Sequence, residues 1–274
     1  MGLFQPKPGS VLFVVLDSCR YDTFASAAAP SLKRVGPLHR AMAPSHFTYG
    51  SHASMFVGFT PGDGSLAEPF VNPKYGKIFK MRHATFGANE RCHFELEGRT
   101  IIDGFRRAGY RTVGTGAVAW FDPRTEAGRT LTQDFDSFYY PETSPEALPA
   151  QLDWIAKELS VIDRPVFLFI NIGETHVPYH HPGAGWSADE NPCIPFSPKN
   201  DRAKCRARQT ACLEYADRLL GPLTQDFMGE TIVVTADHGD CWGEDGLWEH
   251  AIHHEKTLEV PLVYRLGKKA ALKV

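Results

Sequence analysis

Short apolar runs that alternate with helical patterns are the feature that most constrains the fold of this chain. Val11–Leu16, Val166–Ile172 and Thr231–Ala236 have the length and apolar content of buried strands. Segments with helical spacing lie before the second of these strands, as at Leu152–Leu159, and between the second and the third. Parallel strands that are buried on both faces need crossover helices between them. The alternation therefore predicts an α/β fold, a three-layer sandwich with helices on both faces of a mostly parallel sheet.

Turn residues mark the ends of the other predicted elements. These are helices at Ile101–Arg107 and Cys205–Leu220 and strands at Arg111–Gly114 and Val260–Tyr264. Gly109 is a good C-cap for the first of these helices. Gly221-Pro222 is predicted to close the second one, because proline lacks the amide hydrogen that a helix needs.

Composition limits the class of protein. A chain of 274 residues with 43% hydrophobic and 22% charged residues can bury a full core. No linker divides residues 1–274, so we interpret them as a single domain. A net charge of -3 gives no basic surface for nucleic acid, and an anionic substrate must be attracted by a local site. Residues 180–200 are rich in proline and glycine and are predicted to form a lid or substrate loop.

No segment of the sequence has the pattern of a targeting or membrane segment. The first eight residues lack the charged and apolar regions of a signal peptide, and Val11–Leu16 is too short to cross a bilayer. The six cysteines are scattered, without a C-x-x-C pair. We therefore expect reduced structural thiols in a cytoplasmic protein with no membrane partner. The oligomeric state is left open.

Polar residues that suit a metal or a phosphate group follow the predicted strands. The four places are Asp17, the segment Thr48–Phe56, the segment Glu174–Tyr179, and Asp237–Asp240 with His250 nearby. Ligands of α/β proteins bind outside the carboxyl ends of parallel strands. The four places are therefore expected to converge on one crevice.

Each place also has a simpler interpretation when it is taken alone. A lone aspartate such as Asp17 is more often a helix cap than a metal ligand. Thr48 alone is an ordinary loop residue, and Ser45, Ser51 and Ser54 are equally good caps for the helix that follows. Adjacent acid and imidazole groups, as in Asp237-His238, suit a divalent cation and form the strongest single feature.

The order of these motifs resembles that of the alkaline phosphatase–arylsulfatase superfamily over nearly the whole chain. The motifs are Val14-Val15-Leu16-Asp17 with Arg20-Tyr21-Asp22, Thr48-Tyr49-Gly50-Ser51-His52 with Gly58-Phe59-Thr60-Pro61, Ala108-Gly109-Tyr110, His176-Val177-Pro178-Tyr179, Asp237-His238-Gly239 and Val260-Pro261-Leu262. Each motif is weak by itself. Six of them in the family's order make the resemblance specific.

The resemblance implies an alkaline-phosphatase-like fold and a site built on a divalent metal. By position, Asp17, Thr48, Asp237 and His238 would bind one ion, with Thr48 as the nucleophile. His176 and His250 would either hold a second ion or contact the substrate and its leaving group. Glu174 or His176 with His250 would form a reduced second site. An acid and imidazole ligand set favours zinc or manganese, as one or two ions.

Departures from the family pattern bear on the substrate. Sulfatases carry cysteine or serine within C/S-x-P-x-R, where this chain has Thr48-Tyr49-Gly50-Ser51-His52. Threonine cannot become the formylglycine aldehyde, and the arginine is absent. We therefore predict a hydrolase or phosphoryl-type transferase acting on a small phosphodiester, phosphonate monoester or phosphomonoester. The alternatives are a sulfatase-like hydrolase with altered chemistry and a catalytically silent binding member.

The sequence leaves one further group of residues between two interpretations. They either line a leaving-group pocket or belong to an ordinary solvated loop, and the loop is the default interpretation. The residues are Asn171, Tyr179, His180, His181 and Trp186.

Overall fold

The computed structural model describes residues 4–58, 79–86, 89–96, 98–142 and 146–267, and of 79–86 and 89–96 the backbone only. Its strands are β1 (Val11–Leu16), β2 (Leu38–Met42), β3 (Phe79–Phe86), β4 (Asn89–Leu96), β5 (Arg111–Gly116), β6 (Ser137–Tyr139), β7 (Val166–Ile172), β8 (Thr231–Ala236), β9 (Cys241–Trp242), β10 (Trp248–Glu249) and β11 (Glu259–Arg265). Its helices are α1 (Tyr21–Ser26), α2 (Pro30–Lys33), α3 (Thr48–Val57), α4 (Ile101–Arg107), α5 (Glu126–Thr132), α6 (Leu148–Leu159), α7 (Arg202–Asp226) and α8 (Glu255–Leu258). Two short 3₁₀ turns lie at Ala119–Phe121 and Glu244–Gly246.

A central sheet of seven strands organises the molecule, in the order β2-β11-β8-β1-β7-β5-β6. The strands from β8 to β6 are parallel to one another, whereas β11 runs antiparallel to both β8 and β2. Strands β3 and β4 form a separate antiparallel hairpin, and β9 pairs with β10. The predicted mostly parallel sheet is confirmed, and its antiparallel part lies at one edge.

Alternate side chains of the central strands pack into two separate cores. In β7, Leu168 and Ile170 lie in a core with α1, α2, α6 and α7, while Phe167 and Phe169 lie in a core with α3, α4 and α5. In β1, Val14 and Leu16 join the first core and Val15 joins the second. Because successive side chains of a strand point to opposite faces, both faces of the sheet are covered. The three-layer arrangement predicted from the apolar runs is confirmed.

Helix α7 does not end where its sequence suggested. It was predicted to close at Gly221-Pro222, but it continues through Pro222 to Asp226. Leu220 and Leu223 on either side of the proline are buried in the first core, and the Thr224 hydroxyl donates to the Leu220 carbonyl. A proline inside a helix costs about 3 kcal/mol, so tertiary packing outweighs the local preference here.

Other element boundaries differ from the predictions by a few residues. Helix α6 begins at Leu148, four residues before the predicted start at Leu152, and β5 extends two residues past Gly114. Helix α7 begins at Arg202, where the Asp201 side chain accepts a hydrogen bond from the Lys204 amide. Helix ends depend on cap geometry that apolar periodicity does not contain.

The segment 180–200 packs against α7 as a series of turns. The Arg208 guanidinium lies 2.7 Å from the Glu190 carboxylate and also donates to the Glu190 carbonyl, and the Cys205 thiol approaches the Pro192 carbonyl. The contacts tie this segment to the helix. Its role as a lid remains a prediction.

The described cysteines are free thiols, and all of them are buried: Cys19, Cys193, Cys205, Cys212 and Cys241. Cys92 lies in a range whose side chains the structure does not describe. Within the described part of the chain, no helix combines the length and the hydropathy that a membrane crossing requires.

Leu168→Ala tests the position of the first core. Leu168 is fully buried at the centre of the sheet, so its truncation leaves a cavity and should lower the free energy of unfolding by about 2–5 kcal/mol. Val161→Ala is the control, because Val161 is 81% exposed, and it should change stability by less than about 0.5 kcal/mol. Urea unfolding measures both. Equal midpoints for the two variants would contradict this assignment of the core.

Candidate metal centre

The register of the parallel strands brings two aspartates to the same level. Leu16 at the end of β1 pairs with Ile172 of β7 and with Ala236 of β8. Asp17 and Asp237 each follow one residue later, at the carboxyl edge of the sheet. Both side chains are fully buried. The two acids that the sequence placed after separate apolar runs therefore lie side by side.

Neighbouring polar groups orient Asp17. The Asn171 amide donates to Asp17 Oδ2 at 3.0 Å, and the Ser18 hydroxyl lies 3.3 Å from Oδ1. The Thr175 hydroxyl donates to the backbone carbonyl of Asp17 at 2.7 Å. Asn171 is buried in β7, so it supports the site and does not belong to a solvated loop.

Asp237 has one oxygen held by the backbone and one without a partner. Its Oδ1 accepts from the amides of Ser18 at 3.1 Å and His238 at 3.0 Å. Ser18 adopts a left-handed conformation with φ 56, which points its amide at the carboxylate. Asp237 Oδ2 is buried without a hydrogen-bond partner. A buried unpaired oxygen is costly, and a cation would satisfy it.

Thr48 is the first residue of α3 and faces the same centre. Its Oγ1 lies 3.2 Å from His238 Nε2, and the side chain is buried. Phe47 occupies the N-cap without a side-chain hydrogen bond, so none of the three serines considered as caps fills that position. The Ser51 hydroxyl donates to the Asp237 carbonyl at 2.6 Å and so ties α3 to the end of β8.

His238 presents a ring nitrogen that suits a metal. Its Nδ1 lies 3.0 Å from the Gly239 carbonyl, so Nδ1 carries the proton and Nε2 keeps its lone pair. Nε2 lies 3.6 Å from Asp237 Oδ2 and 3.9 Å from Asp17 Oδ1. Burial, and next the charge of His250, lowers the pKa of His238 to about 4. The imidazole is therefore neutral near pH 7, as a metal ligand must be.

Glycine follows His238 because the backbone passes too close for any other side chain. A Cβ at Gly239 would collide with the Lys256 carbonyl oxygen. The Gly239 amide also donates to the Thr257 carbonyl at 2.8 Å. The D-H-G motif is thus explained by the approach of α8 to the end of β8.

The residues present fit a divalent cation. Ligand atoms of Asp17, Asp237 and His238 all lie within 4.8 Å of one another. Burial raises the pKa of Asp17, with the charge of Asp237 adding to it, and burial also raises the pKa of Asp237. Two carboxylates buried together repel each other, and a bound cation would offset that repulsion.

A second group of possible ligand atoms shares His238 with the first. It consists of His238, Asp240 and His250. His250 Nδ1 lies 2.8 Å from Asp240 Oδ1. Burial lowers the pKa of His250, but the hydrogen bond and charge of Asp240 outweigh it and raise the value to about 9. Asp240 belongs to the fourth polar place in the sequence, directly after D-H-G, but was not predicted as a ligand.

His176 lies beside His250, whereas Glu174 points elsewhere. The His176 ring centroid is 5.1 Å from that of His250, and its Nδ1 bonds the Val177 carbonyl. Glu174 Oε1 instead accepts from the Leu148 amide at the start of α6, at 2.7 Å. Glu174 belongs to neither group of ligand atoms found among the described residues. Its carboxylate meets a helix N-terminus, where negative charge is favoured.

Two buried polar side chains support the site from outside it, and sequence reasoning assigned them no role. Gln209 of α7 donates to the carbonyls of Ser18 and Thr175 at 2.9 and 3.1 Å, which links the ends of β1 and β7. The Arg20 guanidinium bonds Glu244 and the Asp240 carbonyl and lies 4.1 Å above the Trp242 ring. Arg20 thereby holds the loop that carries Asp240. Side chains from distant parts of the chain give no local signal of this kind.

Of the other residues left open by the sequence, only Tyr179 is described in contact with a possible ligand residue. Tyr179 is fully buried and donates to Asp240. His180 and His181 both pack edge-on against Trp186, and His181 also stacks on Tyr215. His180, His181 and Trp186 belong to the 180–200 segment, and the stacking of His181 on Tyr215 is part of its contact with α7.

The fold and the match to a family model together place the chain among the α/β proteins of the alkaline phosphatase superfamily. The chain belongs to the sulfatase family, because the family model described as Sulfatase matches residues 11–271. Comparison with the sequences of curated proteins gives no significant match.

Solved structures with the same fold include two kinds of enzyme. The periplasmic domain of the phosphoethanolamine transferase EptC from Campylobacter jejuni is 13% identical, with a TM-score of 0.64 over 95% of this chain and 80% of that chain. The EptC domain from Escherichia coli, solved as a complex with Zn, is 14% identical, with a TM-score of 0.65 over 98% and 77%. A phosphonate monoester hydrolase of Agrobacterium radiobacter is 15% identical, with a TM-score of 0.59 over 95% and 68%.

Asp237→Ala combined with His238→Ala tests the ligand set. We expect about one or two zinc or manganese ions per purified wild-type chain, and loss of the tighter ion in the double variant. The control is Asp245→Ala with His254→Ala, which removes an acid–imidazole pair 3.2 Å apart whose acid is 82% exposed. Plasma mass spectrometry of dialysed protein measures the metal. Full occupancy in the Asp237/His238 variant would show that other residues bind the ion.

Glu174→Gln tests the environment of that carboxyl group through the pH dependence of stability. Burial raises the pKa of Glu174 from 4.5 to about 7. Between these values the folded state binds more protons than the unfolded state, so wild-type stability falls as pH rises through this window. Glutamine keeps the acceptor for Leu148 but cannot ionise. The variant should therefore gain roughly 3 kcal/mol over wild type at pH 8 and little at pH 4.

The matched control for Glu174 is Glu126→Gln, which makes the same change at an exposed residue of α5. Urea unfolding at several pH values should give parallel curves for this control and wild type. A Glu174→Gln curve that also ran parallel to wild type would contradict the raised pKa.

Proposed function

We propose that this protein is a metal-dependent enzyme that hydrolyses or transfers small phosphate-type esters, with Thr48 as the nucleophile. The observation that carries the proposal is the position of the Thr48 hydroxyl. It is buried at the start of a helix, 3.2 Å from His238 Nε2, whose neighbours are two buried aspartates. A threonine that only capped the helix would not need candidate metal ligands around its hydroxyl.

A hydroxyl group is a poor nucleophile near neutral pH and needs activation. Asp17, Thr48, Asp237 and His238 would hold one divalent cation, and zinc or manganese suits these oxygen and imidazole ligands. Such a cation lowers the pKa of a bound hydroxyl and neutralises charge that develops on the phosphoryl oxygens. Asn171 and the Ser18 amide keep the two carboxylates aimed at that position.

Helix α3 supplies the binding site for the phosphoryl group. The first-turn amides of a helix have no acceptor inside the helix and favour an anion. Counting from the start of α3, Ser51 is the first residue whose backbone amide is hydrogen-bonded to a carbonyl four residues earlier, that of Phe47. By position, the amides of Tyr49 and Gly50, one and two residues after Thr48, are the groups that would bind the phosphoryl oxygens. Attack of the Thr48 oxygen on phosphorus forms the P–O bond to Thr48 and breaks the P–O bond to the leaving group, which departs with the proton. The Thr48 adduct is a phosphothreonine for a phosphomonoester and keeps the second organic group for a phosphodiester or phosphonate. Transfer to water or to an acceptor hydroxyl then restores the threonine.

His250 and His176 are proposed to contact the substrate and its leaving group. Their rings lie 5.1 Å apart, and His250 lies 4.5 Å from His238. In both residues Nδ1 is hydrogen-bonded within the protein, to Asp240 in one and to the Val177 carbonyl in the other. The Nε2 atoms therefore remain available for substrate.

The surroundings of His52 favour phosphate-type over sulfate esters. His52 stands where the sulfatase pattern has its arginine, but it is fully buried, with its ring 4.9 Å from Phe121. Its Nδ1 lies 2.9 Å from the Thr48 carbonyl and 3.7 Å from Asp237 Oδ2, so His52 supports the first turn of α3 beside the candidate ligands. With Thr48 as the nucleophile, the aldehyde chemistry of sulfatases is not available. The neighbouring transferase and hydrolase structures support the same class of chemistry.

Thr48→Ala tests the nucleophile. The variant should keep its metal through the other three ligands but lose turnover by a factor on the order of 10³ or more, because the attacking oxygen is gone. Thr130→Ala, on the exposed side of α5, is the matched control and should keep wild-type turnover. Initial rates are measured with 4-nitrophenyl esters of phosphate, a phosphodiester, a phosphonate and sulfate. Phosphate-type esters should be cleaved fastest.

Trapping by rapid acid quench should give phosphorylated Thr48 in wild type. Near wild-type turnover in Thr48→Ala would show that a water molecule, and not Thr48, is the attacking group. A preference for the sulfate ester would overturn the proposed substrate class.

A further inference from the structure

A buried chain of hydrogen bonds leads from Trp242 to His250. Trp242 Nε1 lies 2.9 Å from the Tyr179 hydroxyl, which lies 2.6 Å from Asp240 Oδ2. Asp240 Oδ1 lies 2.8 Å from His250 Nδ1. Tyr179, Asp240 and Trp242 are all buried. The chain therefore has no competition from solvent along its inner part.

The direction of each hydrogen bond between Trp242 and His250 follows from which groups can donate and which can accept. An indole nitrogen only donates, so the Tyr179 oxygen accepts from Trp242 and its single proton goes to Asp240. The Asp240 carboxylate accepts at both oxygens. With both Asp240 oxygens accepting, His250 Nδ1 donates and therefore carries a proton, and Nε2 is the nitrogen that faces the substrate.

Both oxygens of Asp240 are occupied, and its backbone is held as well. Oδ1 meets His250, Oδ2 meets Tyr179, and the Asp240 carbonyl accepts from Arg20 at 3.2 Å. Although Asp240 belongs to the second group of possible ligand atoms, its engaged oxygens fit the orientation of His250 better than the binding of an ion.

We propose that Tyr179 is a positioning residue for the reaction: its hydroxyl fixes the Asp240 carboxylate, which holds His250 with Nδ1 protonated and Nε2 turned to the substrate. This inference rests on the proposed function, in which His250 contacts the substrate. Tyr179 acts through Asp240, which does not belong to the first group of ligand atoms.

Packing alone does not account for a tyrosine at this position. Its backbone has φ 57, a left-handed conformation that is strained for a residue with a bulky side chain. A buried hydroxyl stabilises the protein only when its hydrogen bonds are made, and here both its donor and acceptor functions are used. Burial, and next the charge of Asp240, raises the pKa of Tyr179, so the phenol stays protonated as the donor.

Tyr179→Phe removes the donor and keeps the ring. We expect kcat to fall by about 10- to 100-fold, the range found for residues that orient a functional histidine, with KM within about twofold and metal content unchanged. Tyr215→Phe is the matched control, since it makes the same change in α7, where the ring stacks on His181. It should leave kcat and KM at wild-type values.

A spectroscopic measurement separates positioning from packing. In protein labelled with ¹⁵N-histidine, the Nδ1–H signal of His250 is identified by its loss in His250→Gln. Tyr179→Phe should shift or broaden this signal, and Tyr215→Phe should leave it unchanged. A wild-type kcat in Tyr179→Phe, or an unchanged His250 signal, would overturn the proposal.

Asp240→Asn provides a second test that does not depend on one variant folding well. If Tyr179 acts through Asp240, adding Tyr179→Phe to Asp240→Asn causes no further loss of kcat, whereas independent effects would multiply and contradict the proposal. The His250 signal needs no turnover. If the wild-type protein cleaves no phosphate-type ester, the proposed function fails, while the signal still decides whether Tyr179 orients His250.

Discussion

The burial of Asp17 beside Asp237 is the constraint on which the rest of the site depends. Parallel pairing of β1 with both β7 and β8 brings their last residues to one level, so the acids that follow meet at the carboxyl edge. Two buried carboxylates are unfavourable without compensation, because burial and their mutual repulsion both disfavour the charged forms. The surrounding hydrogen bonds offset part of this cost. They leave Asp237 Oδ2 unpaired, and a cation would supply the missing interaction.

The polar residues around this pair hold the ligands in place and leave the reactive atoms free. Asn171 donates to Asp17 Oδ2, whereas Asp17 Oδ1 is the oxygen that lies 3.9 Å from His238 Nε2. The Gly239 carbonyl is bonded to Nδ1 of His238, which leaves Nε2 free. Ser51 links the Thr48 helix to the end of β8, which fixes the proposed nucleophile relative to the acids. Groups held in a fixed geometry are a condition for efficient electrostatic catalysis.

The sequence predicted the sheet, its central strands and the acids and histidines at their ends, because burial on both faces of a parallel strand leaves an apolar run that ends abruptly in polar residues. It misjudged α7 at Pro222, where packing of Leu220 and Leu223 outweighs a local cost. It also grouped Glu174 with the candidate ligands, because sequence position does not tell whether a side chain after a strand turns toward the crevice or toward the next helix. Glu174 turns to α6.

The sequence by itself determined the fold class and family and the identity of the groups available for chemistry, since these depend on residue types and their order along the chain. The tertiary structure alone decided which of those groups meet. Strand register placed Asp17 level with Asp237, and the packing of α3 brought Thr48 to His238. The chain from Trp242 through Tyr179 and Asp240 to His250 joins residues up to 63 positions apart. Hydrogen bonds of that kind depend on distances of a few tenths of an ångström, and only the packed molecule sets such distances.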